Sequence, residues 1–179
     1  MNLDNSEIIK SKQVIELLTV ANEYCYLIEN IEKYNTEDLL PLIQRLATLL
    51  YLKGNVLPEV ELEDDSAKES FFTEEEWTIM DLKLKEKFSK YNTLWFPQTT
   101  LTIENATERT LSENLTDTYQ DLKDFLLLFQ KNIYASQVCA VTTCKELYEL
   151  RWGAELLQII THIHFLIIQK NESNEDFEY

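Results

Sequence analysis

Asp117, Asp121 and Asp124 recur at i, i+4 and i+7, a spacing that lines one helix face with three carboxylates. Acids grouped this way bind a divalent cation or act as general acid and base. A helical wheel sets them opposite Leu122 and Leu126, toward water. We therefore expect a solvated face, with a functional acidic site as the alternative. The two histidines, His162 and His164, diverge by roughly 200° on a helix and cannot grip one ion together. Metal-binding helices use i+3 or i+4 spacing, which is missing here. His162 shares a narrow polar strip with Arg151, Glu155 and Gln158, read as an exposed edge. His164 projects among Leu157, Ile160 and Ile168, which suggests a hydrogen-bonded core histidine, or else the proton-handling member of a pocket. No G-x-S-x-G occurs, and a chain with two glycines has no phosphate-cradling loop. No catalytic residue, metal or cofactor is assigned.

Those side chains must be positioned by helices. Two Gly and three Pro in 179 residues leave few helix breakers. A first helix is expected from about Ser6 to Asn30, its inner face formed by Val14, Leu17, Leu18, Ala21, Cys25 and Ile28. A second follows Asn35-Thr36 and ends near Lys53-Gly54, with Pro41 in or near its first turn. A third starts at the capping box Thr73-Glu74-Glu75-Glu76 and carries Trp77, Met80, Leu84, Phe88 and Tyr91. A fourth spans about Ser112 to Ala135. A fifth spans about Gln137 to Gln169 and breaks near Gly153, where glycine costs about 1 kcal/mol against alanine. Close helix packing, or room for a ligand, would offset that cost. The fifth helix is apolar nearly all round, which marks a central element. The fold expected is all-α: an up-down bundle of about five helices with a long central C-terminal helix. It forms a single domain over residues 6–170, with an acidic loop at 58–72, an irregular linker at 96–110 and a disordered acidic tail at 171–179.

Charge narrows the partners. The net charge of −16 repels phosphate backbones and anionic bilayers, so neither nucleic acid nor membrane is expected. Nine of those net charges sit in Glu59–Glu69 and the C-terminal tail. The longest apolar run, Leu156–Ile168, is too short to span a bilayer. Cys25, Cys139 and Cys144 form no CxxC pair, and the N-terminus does not read as a signal peptide. A reduced, cytoplasmic protein fits best.

Four segments together carry a resemblance: Thr19–Cys25; Leu49–Lys53 with Leu57-Pro58; Tyr119–Phe125; and Trp152-Gly153 with His164. In that order they resemble the bacterial family known as domain of unknown function 5063, seen largely in Bacteroidetes. The resemblance spans about residues 10 to 170. It implies an all-helical domain with no established activity. Its recurrent positions fall on Asn22, Glu23, Tyr119, Asp121, Asp124, Trp152, Gly153 and His164. Convergence of Asn22, Glu23, Tyr119, Asp121, Asp124, Trp152 and His164 would make a polar pocket inside the bundle. The function expected is a non-catalytic binding or protein-interaction module, acting on a protein partner or as a homodimer. The alternative is a divalent-metal-dependent hydrolase or small-ligand binder with a carboxylate-lined pocket.

Overall fold

The computed structural model describes residues 5–61, 67–94 and 109–175. Among these residues seven α-helices occur in order: α1 (Asn5–Ile8), α2 (Lys12–Glu29), α3 (Thr36–Asn55), α4 (Glu74–Phe88), α5 (Leu111–Gln130), α6 (Tyr134–Leu147) and α7 (Gly153–Glu175). A π-helical turn, Tyr148–Trp152, joins α6 to α7. No strand occurs among the described residues; a single antiparallel bridge links Thr93 to Thr110. The expected linker lies largely in residues 95–108, outside the described residues.

Local chemistry sets the boundaries. The first expected helix is two, because the Ser11 hydroxyl accepts from the Val14 amide and opens α2. The Thr73 capping box closes both ways: Thr73 N donates to Glu76 Oε2 at 2.9 Å and Glu76 N donates to Thr73 Oγ1 at 3.2 Å. Thr110 and Glu113 form a second capping box that starts α5. The fourth expected helix stops at Gln130, short of Ala135, because Asn132 adopts a φ of 55°, a region asparagine tolerates better than most residues. Pro41 sits at the sixth position of α3, just past its first turn. Helix α7 continues to Glu175, past the start of the expected tail.

The helices bury one contiguous apolar core. The inner face of α2 lies where its periodicity put it. Antiparallel pairing of α3 with α7 is fixed along its length by Glu37–Lys170, Gln44–Ile160 and Gly54–Trp152. Helix α5 touches α2, α4, α6 and α7, so it is buried on nearly every side. This explains why it buries polar residues as well as leucines. The chain's two glycines serve one aromatic pair. A Cβ on Gly54 would lie 2.4 Å from Trp152 Cη2, and one on Gly153 would lie 2.5 Å from the Tyr148 carbonyl oxygen. Close approach thus offsets the helix cost of Gly153. Cys25, Cys139 and Cys144 are free and buried. No described helix is long and apolar enough to cross a membrane.

Candidate functional site: an ionic seam between α5 and α7

Polar residues of α5 and α7 face each other in a fixed antiparallel register. Asn114 Nδ2 donates to Gln158 Oε1 at 2.7 Å. Two turns along, Arg151 grips Asp121 through two hydrogen bonds, Nε to Oδ2 at 2.9 Å and Nη2 to Oδ1. Between them, Arg109 bridges Asp117 on α5 to Glu155 on α7, with Nη1 to Glu155 Oε1 at 2.9 Å and Nη2 to Asp117 Oδ2. Trp77 of α4 donates its indole N–H to Asp117 Oδ1 at 2.6 Å. The paired numbers 114/158, 117/155 and 121/151 share one sum, as one continuous antiparallel ladder requires. The π turn supplies Arg151, and π turns often mark functional positions.

The seam holds three carboxylates against two guanidiniums. Asp121 is 4% exposed and Glu155 3%. Burial raises the Asp121 pKa, although Arg151 pulls it down. Burial first, and the nearby Asp117 second, push Glu155 up to about 8. Among the described residues, Asn114 Oδ1, Thr118 Oγ1 and Glu155 Oε2 are buried without a hydrogen-bond partner.

This geometry corrects several expectations. Asp121 is buried, and Asp117 and Asp124 are half-buried, so the trio is no solvated face. The strip read as exposed faces inward: Glu155 and His162 are each 3% exposed. His164 is the exposed histidine, while His162 Nε2 donates to the Tyr91 carbonyl at 2.7 Å. The reason is complementarity. On a helix that is apolar nearly all round, a polar strip can turn inward when its neighbour offers opposite charges.

The seven residues of the anticipated pocket do not converge. Asn22 and Glu23 lie exposed on α2. The Tyr119 hydroxyl donates to Glu29 Oε1 at 2.8 Å, beside Lys123. Trp152 is fully buried and donates its indole N–H to the Cys144 carbonyl at 3.2 Å. Asp121 alone belongs to the seam. Asp124 serves as a latch for the segment before α4: it accepts from Ser70 Oγ at 2.5 Å, Phe71 N at 2.8 Å and Phe72 N at 3.0 Å. Asp124→Ala orphans two backbone donors and should cost about 2–3 kcal/mol in urea unfolding. Amide exchange at Phe71 and Phe72 should accelerate with it; unchanged exchange there would refute the latch.

Sequence reasoning left Arg109, Asn114 and Trp77 out of the site. It placed Arg151, Glu155 and Gln158 on the wrong side of their helix. A signal existed: Arg151, Glu155 and Gln158 repeat at i, i+4 and i+7, the same spacing as the three aspartates. Two strips with that shared spacing can face each other in register, which brings Arg151 to Asp121.

The family model for a domain of unknown function, DUF5063, matches residues 8–169, which includes every member of the seam. The chain belongs to the DUF5063 family. The crystal structure of protein BF1032 from Bacteroides fragilis is similar to it, with 30% identity and a TM-score of 0.78 over 89% of this chain and 94% of that one. No curated protein matches the chain. The DUF5063 description names no activity, so chemical argument about this member rests on its own side chains.

Proposed function

We propose that this DUF5063 member is a non-catalytic interaction module that pairs with a second copy of itself through the outward face of α7. The observation that carries this reading is a helix face without charge on a strongly acidic chain. From Leu150 to Ile168 the only charged residues are Arg151 and Glu155, and both are spent on the seam. What faces out is Leu150, Ala154, Leu157, His164 and Ile168, at i, i+4, i+7, i+14 and i+18. Leu150 is 82% exposed and Leu157 46%. On α3, Leu49, Leu52 and Val56 are also exposed, level with the first turns of α7 in the antiparallel pairing.

Two copies at −16 each repel over most of their surfaces. A charge-free face is where they can approach without that penalty, and exposed apolar stripes of this kind mark contact surfaces. A seam whose aspartates are already held by guanidiniums has no carboxylate pair to offer a divalent cation, so the hydrolytic alternative draws no support from it.

Sedimentation equilibrium over a wide concentration range tests the proposal. The wild type should self-associate. Leu157→Glu should weaken association by about a hundredfold or more while leaving the fold intact, since it would bury a charge in each partner. A wild-type protein that stays monomeric throughout, or a Leu157→Glu variant that associates equally well, defeats the reading.

A further inference from the structure

We propose that Glu155 is a proton-binding site: in the folded protein at neutral pH it is the neutral acid, and its Oε2 hydrogen is directed across the α5–α7 seam toward Asn114 Oδ1. Three features of the geometry point there. First, the seam's charges do not balance when all carboxylates are ionised. Glu155 faces Asp117 and Asp121 from α5, Arg109 from the residues preceding α5, Arg151 from the π turn, and the uncharged hydroxyl of Tyr24 from α2. Three acids against two guanidiniums leave one negative charge in excess, and one proton removes it. Second, the guanidiniums are already placed. Arg151 closes on Asp121, and Arg109 reaches Glu155 only through Oε1. Oε2 is buried with no donor among the described residues. Third, Asn114 Oδ1, one turn before Asp117 on the facing helix, is an acceptor buried without a donor among the described residues. A carboxyl proton supplies the donor that two acceptor-only oxygens, Glu155 Oε2 and Asn114 Oδ1, lack.

The upward shift of Glu155 to about 8 agrees with this arrangement. The sign of the pH dependence follows from linkage. Between the ordinary value of 4.5 and about 8, the folded state keeps a proton that the unfolded chain has released. Stability therefore falls as pH rises through that window and levels off above it. The carboxylates whose values are lowered, Glu16, Glu29, Glu37 and Glu76, act in the opposite sense and only below about 5. Once the proton leaves, Glu155 presents an unpaired negative oxygen to Asp117 and Asp121, and the grip of α5 on α7 weakens. The seam is thus a lock on α7 that alkali loosens.

Glutamate labelled with carbon-13 at Cδ gives a direct readout by NMR. In the wild type, one glutamate resonance should titrate with a midpoint near 8, and that resonance should be missing from Glu155→Gln. In urea unfolding, the wild-type folding constant should fall by up to about tenfold per pH unit between about 5.5 and 8. Glu155→Gln should show no such slope, because its amide N–H can donate to Asn114 Oδ1 at every pH. Both histidines are common to the two proteins, so their contribution cancels in the comparison. The proposal is overturned if every wild-type glutamate titrates below about pH 6, or if Glu155→Gln keeps the wild-type slope. The wild-type spectrum alone decides the point should the variant fail to fold.

Discussion

Arg151→Ala is expected to destabilise the protein by about 3–5 kcal/mol at neutral pH, the range for breaking a buried ion pair from one side. The guanidinium is 38% exposed, so losing it alone would cost little; the damage comes from Asp121, whose side chain is 3% exposed and left charged without a partner. Asp121 can escape by taking up a proton, since burial already favours its neutral form. The loss should therefore shrink in mild acid and be largest at neutral pH and above. Replacing both partners, as in Asp121→Leu with Arg151→Met, should recover most of the stability, because no charge then remains to be desolvated. Urea unfolding of the single and double variants at two pH values checks each part. A loss below about 1 kcal/mol for Arg151→Ala, the size of a surface pair, would mean that water reaches Asp121.

Trp152→Ala should cost a similar amount, about 3–5 kcal/mol, for a different reason. Trp152 is fully buried, packs edge-on against Tyr148 with ring centroids 4.7 Å apart, and fills the space above Gly54. Removing it leaves a cavity between two helices whose spacing is held by other contacts. Gly54→Ala then provides an internal check, since its cost should be smaller in the Trp152→Ala background than in the wild type. In the wild type the new methyl would lie 2.4 Å from the indole, so overpacking of about 1–3 kcal/mol is expected. In Trp152→Ala the indole is gone but the Tyr148 ring still lies 2.5 Å from the same methyl, so the cost should shrink without vanishing. A double-mutant cycle from thermal unfolding gives the coupling directly. Additive effects would show that Gly54 and Trp152 do not share that space.

Helix boundaries were most readable where side chains signal to their own backbone. The Thr73 capping box was evident, as was the inner stripe of α2, because both depend only on near neighbours in sequence. The equivalent Thr110–Glu113 box was readable in the same way, yet α5 was expected to begin at Ser112. Tertiary phase was not readable. A wheel drawn through residues 137–169 assumes 3.6 residues per turn throughout, but the π turn at Tyr148–Trp152 inserts extra chain and resets the phase between α6 and α7. Nor does a wheel show which side of a largely apolar helix meets water. Leu157 was placed inside and lies outside; Glu155 and His162 were placed outside and lie inside. Only the facing charges on α5 could settle that choice. The site was legible as a set of residue types, and Asp117, Asp121, Arg151 and Glu155 were all noticed, but its partners lie far apart in sequence.

The three sulfhydryl groups give the protein its own record of integrity. None is bonded to another, and each is sealed beneath the helices. Burial pushes Cys25 up to about 12 and also raises Cys144, so neither is a thiolate at ordinary pH. An oxidant or alkylating reagent meets them only in molecules that have come apart, and each modified sulfur then marks one such event.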